Sequence, residues 1–204
     1  MSNKRSYTPP TIDPAETWVI SDTHFGHKNI IGFCNRPTDH EAVMLENWAQ
    51  TVPDDATVLH LGDLSYRNNG MFKNVHAKHL TGARKLLIRG NHDKQRFSFY
   101  RDSGFKLTRP FEIRYRDWRV SFSHYPWNLE KEGGAMPSNM VRVHGHIHNN
   151  GYTRSEYVPF LKNHINVSIE QMHYRPANLK LLLDAALYGE YDRGTDKFGT
   201  DLNP

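Results

Sequence analysis

Five apolar runs in this 204-residue chain each lead into side chains able to hold a metal ion or move a proton. Thr17-Trp18-Val19-Ile20-Ser21 delivers Asp22 and His24, and Thr57-Val58-Leu59-His60-Leu61 leads through Gly62 to Asp63. Lys85-Leu86-Leu87-Ile88-Arg89 leads through Gly90 to Asn91, His92 and Asp93. A run containing Val120 and Phe122 leads to His124, and residues 139–143 lead past His144 and Gly145 to His146 and His148. Taken singly, each has an ordinary explanation, since asparagine and aspartate favour turns. Together they demand another. Polar side chains at the ends of buried strands cost stability unless something binds them. In an extended chain positions i and i+2 point the same way, so Asp22 and His24 can converge on one point. In open α/β sheets the carboxyl ends of strands meet in one crevice.

The elements that must position these residues are legible from periodicity. Residues 17–21, 57–61 and 85–89 read as buried strands. Thr38 and Glu41 read as a capping box opening a helix whose apolar stripe is Ala42, Leu45, Trp48, Ala49 and Val52. Helices are expected near 71–80, from 93 to 101 with Gly104 beyond, and after Pro176, where Leu179, Leu182, Leu183, Ala186 and Leu187 share a face. From Phe111 the period falls to two, predicting a hairpin with its turn at Asp117-Trp118. Residues 127–139 read as a loop. A turn is expected at Asn149-Asn150-Gly151 and a strand near 164–168. His40, His76 and His79 are expected on helix surfaces, and His60 in the core.

The length suits one domain, here residues 14–189, with an irregular arm at 1–13 and a mobile tail at 190–204. No run of eighteen apolar residues exists, so no membrane association is expected. No signal segment is visible, and Cys34 is the lone cysteine, which together point to a cytoplasmic protein. A net charge of +4 is compatible with anionic partners, but the basic residues are dispersed.

In this order the strand ends resemble the calcineurin-like metallophosphoesterase superfamily, whose signature is D-x-H, G-D, G-N-H-[DE], a lone histidine and G-H-x-H. They read here as Asp22-Thr23-His24, Gly62-Asp63, Gly90-Asn91-His92-Asp93, His124 and Gly145-His146-Ile147-His148. The first motif and the short length look like a subgroup of small bacterial and phage phosphoesterases. The resemblance implies an α/β sandwich of two mixed β-sheets flanked by helices. It also implies two divalent transition-metal ions, one on Asp22, His24, Asp63 and His148, the other on Asp63, Asn91, His124 and His146. Asp63 would bridge, as a carboxylate can when metals sit about 3.5–4 Å apart. Imidazole with carboxylate suits Mn, Fe or Zn better than Mg or Ca.

The implied reaction is hydrolysis of a phosphate ester, mono or di, small or nucleotide-like, by a metal-activated hydroxide. His92 is the expected general acid and Asp93 the residue fixing its tautomer. His27, Arg36 and Arg67 are expected to touch substrate. Arg67 has the offset of an arginine in the protein-phosphatase branch, yet Gly62-Asp63-Leu64-Ser65-Tyr66-Arg67-Asn68 lacks that branch's valine, second acid and final glycine. Two other readings stand beside this one. A nuclease would need a basic, aromatic groove, to which Trp127, Arg114, Arg116 and Arg119 would contribute. A metal-binding scaffold without turnover would not need His92. Oligomeric state is not encoded legibly.

Overall fold

The computed structural model describes residues 7–67, 70–149 and 163–189. Two mixed sheets stack face to face, as the resemblance implies. The first has the order β4-β3-β2-β1-β9, with β1 (Thr17–Ile20), β2 (Thr57–His60), β3 (Arg84–Ile88), β4 (Phe105–Thr108) and β9 (Ala177–Asn178). Its first four strands are parallel and β9 is antiparallel to β1. The second has the order β5-β6-β7-β8, with β5 (Phe111–Tyr115), β6 (Trp118–Phe122), β7 (Met140–His144) and β8 (His164–Asn166). Here β5 and β6 form an antiparallel hairpin, while β6, β7 and β8 run parallel.

The strands of the first sheet are apolar on both faces because both faces are covered. Val19, Leu59, Leu86 and Ile88 meet Val120, Phe122, Val141 and Val143 of the second sheet, with Leu179 and Leu183 of α6 (Leu179–Tyr188) closing the layer. Ile20, Val58 and Leu87 point the other way, onto Met44 and Trp48 of α2 (His40–Thr51) and onto Phe72 and Tyr100. Each such buried side chain contributes roughly 1.5–3 kcal/mol of transfer free energy. Burial fixes the register. A slip of one residue would exchange the two faces.

Several local expectations change. The Thr38–Glu41 capping box does not form: α2 starts at His40 after Asp39, without a side-chain cap. Glu41 instead accepts from the Gly26 amide at 2.6 Å and lies 3.7 Å from His76. His40 and His76 are therefore buried rather than on the surface. The helix expected over 71–80 breaks into α3 (Gly70–Asn74) and a 3-10 turn, His76–Lys78. The helix expected from residue 93 begins later, as α4 (Phe97–Asp102), because Asp93 is held in the preceding loop. Strands β4 and β9 are additions, and the 127–139 loop contains α5 (Leu129–Glu132).

The hairpin forms with Phe111 opposite Phe122, turning at Arg116 and Asp117, where Arg116 adopts φ 49° in place of the missing glycine. A short helix α1 (Ile30–Cys34) follows the first motif. The arm from Tyr7 lies against the β4 edge, with the Tyr7 hydroxyl 2.7 Å from that of Thr108. Residues 1–6, Asn150 and Gly151 of the expected turn, and the 190–204 tail lie outside the described residues. Among the described residues no helix is long and apolar enough to cross a membrane.

Candidate metal centre

All five motifs meet at the carboxyl ends of β1, β2, β3, β6 and β7. The chain turns there in a strained way. Asp22, His24, Asp63, His146 and His148 have φ between 51° and 74°, a region that side-chain-bearing residues rarely enter. Strain of about 1–3 kcal/mol per residue persists only where the surroundings enforce it. Two glycines make the close approach possible. A Cβ on Gly90 would lie 2.2 Å from Asp63 Oδ1, and one on Gly145 would lie 2.1 Å from Asp22 Oδ2.

Asp63 stands at the middle. Its Oδ2 is 3.5 Å from His24 Nε2 and 3.5 Å from His124 Nε2, while its Oδ1 accepts the His92 amide at 2.8 Å. To one side, ligand-type atoms of Asp22, His24 and His148 lie within 4.8 Å of one another. To the other, His124 Nε2 is 3.0 Å from Asn91 Oδ1 and 3.2 Å from His146 Nδ1.

The far sides of the rings fix which nitrogen faces inward. His124 Nδ1 bonds to the Leu61 carbonyl at 2.8 Å, and His148 Nδ1 to Glu170 Oε1 at 3.0 Å. Each outward contact occupies Nδ1 and turns Nε2 into the site, the arrangement metal-binding imidazoles adopt.

These residues fit divalent cations on their own evidence. Asp22 Oδ1 and both nitrogens of His24 are buried without a hydrogen-bond partner. Burial and the neighbouring charge of Asp22 push Asp63 up to about 7, although His124 opposes this. Burial also drives His24 well below its ordinary value. Burial would raise Asp22 too, but His124, His148 and His24 hold it below the usual carboxylate range. The pocket resists holding both carboxylates ionised, a conflict that bound divalent ions would remove.

Three expected residues have different surroundings. Asp93 is not bonded to the imidazole of His92. Its Oδ2 accepts the amides of Asp63 at 2.7 Å and Gly90 at 2.8 Å, and its Oδ1 that of Leu64 at 3.1 Å. It clamps the two ligand loops together. Arg36 is buried, donating to the carbonyls of Asp22 at 2.7 Å and Thr23 at 2.9 Å and to Glu170 at 2.8 Å. Its guanidinium is thus committed to the chain and unavailable to substrate. His27 is also buried, edge-on to Tyr66 with centroids 4.0 Å apart. His92 is half-buried, its ring 5.1 Å from that of His24, and Arg67 is exposed on the rim. Burial, with His124 and Lys94, lowers the His92 pKa.

Sequence reasoning missed Glu170. It lies in the turn after β8, and its partners lie 22 and 134 positions away. Three of the four side chains proposed for a nucleic-acid groove are also engaged. Arg119 pairs with Glu112, Arg116 with Asp184, and Trp127 carries the Arg142 guanidinium on its ring.

A family model for calcineurin-like phosphoesterases matches residues 16–193. The chain is 31% identical to the uncharacterized protein MJ1445 of Methanocaldococcus jannaschii over 173 residues, 81% of this chain and 88% of that one. It is 38% identical over 86 residues to the gene 66 protein of Mycobacterium phage L5, covering 39% and 40% of the two chains. Among solved structures, the protein of unknown function AQ665 from Aquifex aeolicus superposes with a TM-score of 0.61 at 29% identity, covering 78% of this chain and 93% of that one.

Proposed function

The chain belongs to the calcineurin-like phosphoesterase family and is a metal-dependent phosphoester hydrolase; from that premise we propose that its centre holds two divalent ions, Mn, Fe or Zn. Asp22, His24, Asp63 and His148 would hold one, and Asp63, Asn91, His124 and His146 the other. The observation that carries this reading is Asp63 Oδ2, equidistant at 3.5 Å from His24 and His124, one oxygen serving both clusters. When bound, the ions would lower the pKa of a water toward ~7 and neutralise charge on phosphoryl oxygens.

The chain's own residues supply the rest. The Leu61 carbonyl and Glu170 hold His124 and His148 in the tautomer that presents Nε2. Asp93 holds the loops of Asp63 and Gly90 at a fixed separation. His92, tethered through its amide to Asp63, passes its proton to the leaving oxygen as the ester bond breaks. Substrates are phosphomonoesters or phosphodiesters of small or nucleotide-like size, with Arg67 on the substrate side of the rim.

Purified protein loaded with Mn, Fe or Zn should hydrolyse p-nitrophenyl phosphate or its bis ester, lose that activity to a chelator and regain it with metal. No turnover with any of the three would overturn the reading and leave a metal-binding scaffold.

A further inference from the structure

His92 has two sides. One faces His24; the other opens onto a cavity of about 450 Å³ lined by Tyr66, Arg67, His92, Lys94 and Gln95. The cavity is preformed. The Gln95 side-chain amide donates to the Ser65 carbonyl at 3.1 Å and also to the Arg67 carbonyl, and its oxygen accepts the Tyr100 hydroxyl. Arg89 donates to the Gln95 carbonyl and lies over the Tyr100 ring. The loops on either side of the cavity are thereby tied to each other and to α4.

Its walls carry two cations and no carboxylate. Arg67 and Lys94 are both exposed, and among the described residues neither makes an ion pair. The Arg67 guanidinium lies over the Tyr66 ring, 5.1 Å from its centroid. Tyr66 packs on His27, and His27 reaches Phe33, which is 69% exposed. A ledge of aromatic rings thus borders a pair of unneutralised cations. Guanidinium in particular matches phosphate with two parallel hydrogen bonds.

We propose that this cavity is the leaving-group subsite and that it selects esters whose leaving group bears a second phosphate, held by Arg67 and Lys94. This rests on the hydrolase reading, because His92 as acid must stand beside the leaving atom. The group beyond that atom then enters the cavity on the far side of His92. A sugar phosphate and a nucleotide share the required anion; the aromatic ledge adds a stacking face for a base.

Calorimetric binding to the Mn-loaded protein tests this, with the slow-turnover His92→Ala variant run beside it to separate binding heat from hydrolysis, using thymidine 5′-monophosphate, thymidine 3′,5′-bisphosphate and the base-free deoxyribose 3′,5′-bisphosphate. The thymidine bisphosphate should bind about tenfold or more tightly than the monophosphate, the range of a charge-assisted hydrogen bond. The Arg67→Ala/Lys94→Ala double variant should bring that ratio toward one. Equal affinity for the base-free bisphosphate identifies a sugar phosphate as the recognised unit; weaker affinity identifies a nucleotide. A ratio near one in the parent protein, or one that survives in the double variant, overturns the proposal. Hydrolysis of bis-p-nitrophenyl phosphate is followed in parallel, so loss of the hydrolase reading registers separately from loss of the subsite.

Discussion

Glu170 Oε1 lies 3.0 Å from His148 Nδ1 and 2.6 Å from Arg36 Nη2, so one carboxylate oxygen joins a candidate metal ligand to a buried guanidinium. Arg36 also holds the carbonyls of Asp22 and Thr23. The pair therefore fixes both the ring of His148 and the backbone of the first motif. Glu170→Gln should weaken one of the two ions about 10–100-fold, the usual cost of losing such a support. A metal titration should then separate into two phases. Arg36→Ala should cost about 3–5 kcal/mol in urea unfolding, because it strands a buried carboxylate. A single-phase titration unchanged by Glu170→Gln would remove Glu170 from the centre.

His92→Ala should lower turnover roughly 10²–10⁴-fold on alkyl phosphate esters, the scale of general acid catalysis. The loss should be much smaller on p-nitrophenyl esters, whose leaving group needs no proton. Metal content should stay intact. Equal losses on both kinds of ester would show that His92 does not protonate the leaving oxygen.

Asp93 accepts three backbone amides, and an asparagine there keeps one acceptor oxygen and turns an amino group toward a donor. Asp93→Asn should destabilise the fold by about 1–3 kcal/mol. Unfolding in urea measures this. A variant of full stability with a shifted pH–rate profile would instead restore Asp93 as the orienter of His92.

Buried histidines make the fold acid-sensitive. His60 Nδ1 accepts the Gly62 amide at 3.2 Å, so its Nε2–H donates to Thr23 Oγ1 at 3.0 Å, and Thr23 donates in turn to the Leu64 carbonyl at 2.8 Å. Burial pushes His60 and His144 down to about 3. The unfolded chain, with histidines near ~6.5, takes up these protons first, so stability is complete above that pH and falls as pH drops toward about 3. With chelator present, urea midpoints should fall between pH 7 and 5. His60→Leu should be less stable at pH 7 by about 1–3 kcal/mol. Its pH dependence should be flatter, by up to about 1.4 kcal/mol per pH unit. An identical slope would contradict the assignment.

The candidate centre was legible because the side chains proposed as its ligands sit where parallel strands stop, and a buried apolar run ending in Asp, Asn or His is visible in one dimension. What supports those ligands was less so. Glu170 lies in a loop, and its meaning exists only once Arg36 and His148 are beside it. Glu41 matched a local capping rule but serves Gly26 and His76, contacts that no local window contains. Asp93 reads as a partner for its neighbour His92, whereas three amides converge on it in space. The short strands β4 and β9 carry too little periodicity to register, and β9 forms because β1 offers it an edge.

Metal stoichiometry tests the central claim most directly. Mn-saturated protein, freed of loose ions and measured by elemental analysis, should carry two ions per chain, and Asp63→Asn should carry fewer than one, because both clusters share that carboxylate. Saturation at a single ion, or two ions retained by Asp63→Asn, would contradict it.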